Sequence, residues 1–234
     1  MSLTETLLRP YPPARPLVTH YDDSAGSRVE LSTATLRNWA AKTANWLVEE
    51  HDMEPGGRVA VLLPAHWQTA GVLLGAWWCG ASVVAEPSDA AVAFVPPGGT
   101  APGASTTAVV SLDPMGRDLR GEVPTGAVDY IAEARLHGDD FLALAQVPGD
   151  TPCLAGLTVD EVLTTARSRA AKLGLTSSSR VLSTLDWTVH DGMLDGLVTV
   201  LAAEASLVQV TNPDPARLPR HRETERTTVD LLAR

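Results

Sequence analysis

The apolar positions of this chain change period many times between its ends. Short aliphatic runs, or runs that alternate with polar residues, read as strands; stretches with apolar residues three and four apart read as amphipathic helices. The clearest unit lies between Arg58 and Glu86. It predicts a strand over Val59–Leu63, a break at Pro64, a helix over Trp67–Cys79 and a second strand over Ser82–Ala85. A strand, a helix and a strand in that order form a right-handed parallel crossover. Before it, Leu17–Tyr21 and Arg28–Leu31 read as a hairpin around the turn Asp22–Gly26, and Ser32 caps a helix reaching about Glu50. After it, strands are expected at Ala91–Val95, Ala108–Leu112, Phe141–Gln146, Arg180–Leu185, Ser206–Val210 and Thr227–Leu231. Helices are expected at Val128–Leu136, from Thr158 to Leu173, at Val189–Ala202 and at Pro215–Arg226. Residues 1–16 read as an extended arm or a first turn of helix, and Val147–Leu157 as a loop.

Alternation of this kind predicts an α/β fold with a mainly parallel sheet covered by helices on both faces. The 234 residues fit a single α/β unit over 1–234. The stretch 96–107, rich in Pro, Gly, Ala and Ser, is the candidate boundary if that unit divides into subdomains.

Composition narrows the function classes. The formal charge is −10, which speaks against nucleic-acid binding, since that is driven by neutralising phosphates. Two cysteines, Cys79 and Cys153, make no disulfide framework. The apolar run 70–85 is too short to span a bilayer, and no secretory leader is visible, so the expectation is a cytoplasmic protein without a membrane span.

The segment Leu31-Ser32-Thr33-Ala34-Thr35-Leu36, then Glu54-Pro55-Gly56-Gly57-Arg58-Val59-Ala60-Val61, then Pro64-Ala65-His66 and Cys79-Gly80-Ala81-Ser82-Val83-Val84, resembles a family pattern. It is similar to the N-terminal large domain of the AMP-forming, adenylate-forming enzymes: acyl-CoA synthetases, peptide-synthetase adenylation domains and luciferases. Arg180-Val181-Leu182-Ser183, Asp191–Leu201, Ala205–Val210 and Glu225–Leu231 resemble later segments of the same domain. The resemblance implies AMP or ATP with Mg as cofactors and a ligase-type reaction.

The diagnostic phosphate loop of that family is missing. It is a Ser/Thr- and Gly-rich loop with a lysine, whose backbone N–H groups close around phosphate. Aligned on Pro152, its glycine positions hold Val147, Asp150 and Leu154, and its lysine position holds Cys153. Its Ser/Thr positions hold Ala145, Gln146, Pro148 and Gly149. The altered stretch thus includes Val147, Gly149, Asp150, Thr151 and Cys153. Asp150 repels phosphate, prolines lack the N–H donor, and no Lys or Arg lies in Val147–Leu157. The family's later adenine-binding and lid segments fall beyond Leu231 in the pattern.

In open parallel sheets, ligands sit beyond the carboxyl ends of strands. Polar residues placed there are His66, Glu86, Asp113, Asp186, Trp187, His190, Thr211 and Asn212. The resemblance implies that the loop around Asp186, Trp187 and His190 lines a substrate pocket. No catalytic residue and no metal set is assigned. Arg217, Arg220, Arg222 and Arg226 form a small basic patch that could grip a phosphate or a partner, or be a solvated helix face paired with Glu223 and Glu225. The leading expectation is an acyl-CoA synthetase-like protein that is not a complete ligase and binds a small molecule or a partner. Two alternatives stay open. One is residual AMP/ATP or acyl-adenylate binding completed by a partner subunit. The other is a scaffold that self-associates or pairs with a full-length synthetase.

Overall fold

The computed structural model describes residues 1–121 and 123–233; Glu122, inside the irregular stretch 115–126, and Arg234 lie outside the described residues. The parallel strands divide between two sheets. The first holds β1 (Pro16–Asp22), β2 (Ser27–Ser32), β10 (Arg180–Ser183), β11 (Ser206–Thr211) and β12 (Val229–Leu231), in the order β12-β10-β11-β1-β2. The second holds β3 (Arg58–Val61), β4 (Ser82–Val84), β5 (Val92–Val95), β6 (Thr106–Val109), β7 (Ala127–Asp129), β8 (Pro152–Leu154) and β9 (Leu157–Thr158), in the order β7-β6-β5-β3-β4-β8-β9. Only the edge strands β2 and β9 run antiparallel to their neighbours. The first sheet closes across the whole sequence, since β1 pairs with β11 at Val18↔Leu207 through Asp22↔Thr211. Periodicity marks most of these strands, though not β7, β8 or β9, and carries no information about which sheet each joins.

Helices α2 (Thr33–His51) and α3 (Trp67–Trp78) pack on each other. Every residue of α3 is buried, as a helix that is apolar all round requires. Helix α1 (Leu3–Leu8) lies against it, with Thr4 donating to the Leu74 carbonyl. The 1–16 arm is therefore anchored: Ser2 and Glu5 form a capping box, and Leu3, Leu7 and Leu8 enter the core. Helix α5 (Val159–Lys172) covers β8 and β9, while α8 (Leu218–Glu225) lies outside the first sheet, with Leu218 against Tyr21, Leu182, Val208 and Val210. One continuous core joins residues of both sheets, α1, α2, α3 and α5.

Three elements differ from the sequence reading. Phe141–Gln146 forms no strand; Leu142 and Leu144 are 84% and 90% exposed. The sheet position beside β4 belongs instead to β8, inside the expected loop Val147–Leu157, at Val83↔Leu154. Burial decides this: Cys153 and Leu154 are sealed, and the Trp77 indole donates to the Cys153 carbonyl at 2.9 Å. The expected helix Val128–Leu136 shrinks to α4 (Tyr130–Ala134), because Asp129 ends β7 and caps the helix through the N–H groups of Ile131 and Ala132. The helix expected from Val189 starts later. It comprises α6 (Asp191–Met193), a π-helical turn (Leu194–Val198) and α7 (Thr199–Ala202).

Candidate ligand groove and the loop before α5

Beyond the carboxyl ends of β3, β10 and β11 the chain leaves a groove. Its two parts have volumes of about 420 and 370 Å³ and share Pro64 and Asp186. The first is walled by Val61, Leu62, Leu63, Trp187 and Val189. The second is walled by Ala65, Leu185, Gln209, Thr211 and Asn212. Asp186 stands exposed between them, its carboxylate without a hydrogen-bond or ion-pair partner among the described residues.

Trp187 is fixed from behind by the π-helical turn. A Cβ on Gly196 would stand 2.6 Å from the indole Nε1, so any larger residue there would collide with the ring. The ring is buried and its Nε1 has no partner. Gln209, also buried, donates through Nε2 to the Leu185 carbonyl at 3.0 Å, leaving Oε1 without a donor. The first part therefore has mostly apolar walls, the second is lined by Gln209, Thr211 and Asn212, and the groove holds one free carboxylate and one buried unpaired acceptor.

Behind the second part, two histidines meet edge to face with ring centroids 4.3 Å apart. Thr211 Oγ1 donates to the Ala65 carbonyl, so it accepts from His20 Nε2, 2.8 Å away. His20 Nδ1 is then bare of hydrogen and has no partner. His66 caps α3 by accepting the Gln68 N–H at Nδ1. Burial brings His20 to about 4 and His66 to about 3, so both rings are neutral at pH 7.

The turn entering α5 has a different chemistry. The Thr158 N–H donates to Glu161 Oε2, and the Glu161 N–H to Thr158 Oγ1. The N–H groups of Val159 and Asp160 donate to the carbonyls of Thr151 and Gly149 at 3.0 and 2.9 Å. All four donors at this helix start are used by the chain itself. The Asp160 carboxyl fills the space over Gly149, where any Cβ would collide with it.

No protein-family model matches this chain. A "TIGR03089 family protein" of Mycobacterium tuberculosis is 48% identical over 225 residues, which is 92% of this chain and 91% of that one. The chain belongs to the TIGR03089 family. Among solved structures, a Brucella canis acyl-CoA synthetase superposes with a TM-score of 0.83 at 15% identity, over 99% of this chain and 47% of its own. An acetoacetyl-CoA synthetase from Streptomyces lividans gives 0.76 at 19% identity, over 100% and 42%. An anthranilate CoA ligase in complex with anthranoyl-AMP gives 0.72 at 18% identity, over 98% and 49%. The TIGR03089 chain thus has the fold of the N-terminal portion of these synthetases, and spans about half the length of the solved chains it matches.

In this family member the residues singled out from sequence fall into separate places. Asp186 and Trp187 line the groove. His190 does not; it faces Asp191, which Arg169 ties to Asp195. Val147 is buried, and its carbonyl accepts from the Met1 ammonium. Gly149 and Thr151 supply the carbonyls that meet α5, while Asp150 is exposed. Cys153 is buried, which pushes its thiol up to about 12 and keeps it from being a thiolate nucleophile. Glu86 and Asp113 take no part in the groove, and Asp113 pairs with Arg117. Sequence reasoning missed His20 and Gln209, which lie inside strands. The signal available was a polar residue in an otherwise apolar strand run, Val18-Thr19-His20-Tyr21 and Leu207-Val208-Gln209-Val210.

Proposed function

We propose that this TIGR03089 family chain is a binding protein on an acyl-CoA synthetase-like fold, without adenylation chemistry of its own. The observation that carries this is the start of α5. Binding the phosphates of AMP or ATP there needs unpaired N–H groups and positive charge. The four N–H groups from Thr158 to Glu161 are instead satisfied by the chain, and Asp160 brings negative charge to the same place. The groove at Asp186 is the ligand site. Its walls suit an aromatic or branched apolar body, and its free carboxylate suits a cationic or hydrogen-bond-donating head.

Thermal unfolding with added ligands tests the reading. A binder at about 100-fold excess over Kd stabilises by about 2.7 kcal/mol, several degrees in melting temperature. Arylalkylamines should raise the melting temperature of the wild type and not of Asp186→Asn, whereas Mg-ATP and AMP should raise neither beyond the shift given by an equal concentration of phenyl phosphate. A larger shift with Mg-ATP or AMP than with phenyl phosphate would instead support residual nucleotide binding completed by a partner subunit.

A second reading, self-association or pairing with a longer synthetase, is favoured by one observation. Leu136, Leu142 and Leu144 are exposed apolar side chains within nine residues of sequence, beside a hollow of about 390 Å³ walled by Val48, Met53, Pro55 and Phe141.

A further inference from the structure

On the outer side of the first sheet, α8 and the β1–β2 turn enclose a cleft of about 450 Å³. It adjoins the Asp186 groove through the Asn212–Asp22 hydrogen bond but shares no lining residue with it, and its chemistry is of another kind. At its floor, His221 Nε2 lies 2.8 Å from Asp23 Oδ1, and the Tyr21 ring packs on the imidazole with centroids 4.1 Å apart. The carboxylate accepts, so Nε2 carries the proton and Nδ1 is left without a partner among the described residues. Beneath the same floor, Glu225 accepts from Tyr21, Arg28 and Arg180. Burial acts to raise its carboxyl, but those hydrogen bonds outweigh it and hold it down at about 2.

Charge is layered across the cleft. The acids are underneath: the side chains of Asp23 and Glu225 are 3% and 4% exposed. The cations are at the mouth: Arg28 and Arg217 are 42% and 50% exposed, and Arg220 is exposed with no ion pair among the described residues. Asp22 is the rim carboxylate among the described residues that line the cleft, and its Oδ1 is covered by donors from Ser24, Ala25 and Asn212; Glu30 and Asp214 stand outside the lining, paired with Arg28 Nη2 and Arg217 Nε. Ser27 lines the cleft, and its Oγ is buried without a partner among the described residues. A buried hydroxyl left unpaired costs free energy that a bound acceptor would recover.

We propose that this cleft is a second ligand site, taking a phosphate monoester or free phosphate between Arg217, Arg220 and Arg28, with Ser27 and His221 as further contacts. A guanidinium pairs with phosphate oxygens two at a time, and the mouth keeps N–H groups for this on Arg220, on Arg28 Nη1 and on Arg217 Nη2, none of which has a partner among the described residues. The acids below neutralise the arginines' inner faces and fix their positions. They do not occupy the outer N–H groups: Arg28 spends Nε and Nη2 on protein partners and keeps Nη1.

The test is isothermal titration of the full chain with sodium phosphate, phenyl phosphate and, as a neutral control, phenol, at low and at about 300 mM salt. The wild type should bind phenyl phosphate saturably in the micromolar to low millimolar range, more weakly at high salt, and phenol not at all. If phosphate binds as tightly as phenyl phosphate, the cleft takes free phosphate; if only phenyl phosphate binds, it takes an ester. Arg220→Ala removes an unpartnered surface side chain, so folding should be unaffected and the Kd should rise about tenfold. Ser27→Ala should raise it severalfold without lowering the melting temperature. Asp186→Asn should change nothing, which separates this site from the groove. Absence of saturable binding of either phosphate by the wild type, or equal affinity in Arg220→Ala, overturns the proposal.

Discussion

At the scale of single residues, the pair His20–His66 makes the clearest demand on solution behaviour. Both rings are sealed between the sheets, and burial holds them well below the ordinary imidazole value, at about 4 and about 3. In the unfolded chain each takes up a proton near pH 6.5. Above that pH neither state is charged and the pair is neutral in its effect. As pH falls below about 6.5 the unfolded chain binds protons that the folded chain refuses, so stability is lost with falling pH until the folded rings titrate. By pH 5 the loss should be on the order of 2 kcal/mol per histidine, at about 1.4 kcal/mol for each pH unit. Chemical denaturation of the wild type and of His66→Asn at pH 7 and pH 5 checks this. His66→Asn can keep the cap on α3, so it should lose clearly less stability than the wild type between the two pH values. Equal losses would mean that the two rings are accessible in the folded chain.

At the scale of elements, most of the fold is legible because burial and period agree. Strands β3, β4 and β5, helix α3 and the start of α5 sit where the apolar runs and caps place them. The errors arise where two segments compete for one sheet position. Phe141–Gln146 has the better strand sequence, with five apolar residues among its six, but Pro152–Leu154 has Trp77 to bond and the core to fill. That contest is decided by tertiary contacts, which no local pattern contains. The candidate groove was half legible for the same reason. Loop residues such as Asp186 and Trp187 follow from strand ends, while His20 and Gln209 come together only because β1 pairs with β11 across the sequence, at His20↔Gln209. The turn before α5 shows how tightly the replacement loop is fitted. Gly149 is free of any demand for positive φ, so Gly149→Ala is opposed first by the Asp160 carboxyl, to which the atoms nearest the new Cβ belong. It should cost about 1–3 kcal/mol, as overpacking does. In an Asp160→Ala background the same change should cost much less. A double-mutant cycle by urea denaturation measures the coupling, and additivity of the two changes would show that the carboxyl does not hold the loop.

At the scale of the whole molecule, the N-terminal arm and the C-terminal half form one body. Tyr11 donates to the carbonyls of Leu201 and Ala205, β1 enters the first sheet beside β11, and the Met1 ammonium donates to Val147. What stays uncovered is the stretch from Leu136 to Ala145. Its polar part is tied down, since Asn45 donates to the carbonyls of Gly138 and Asp140, and Lys42 pairs with Asp139. Its apolar part projects into solvent next to the hollow at Val48 and Met53. A projecting side chain and a hollow on one face can be exchanged between two copies about a two-fold axis. The net charge of −10 opposes that association at long range, and salt screens the repulsion while leaving apolar burial intact. Light scattering should therefore give a mass above that of a monomer, and the dimer fraction should rise with salt. Leu142→Ser combined with Leu144→Ser should abolish it without lowering the melting temperature, because neither side chain contributes to the core. A wild type that stays monomeric at high protein concentration and high salt would leave these leucines without a role in self-association.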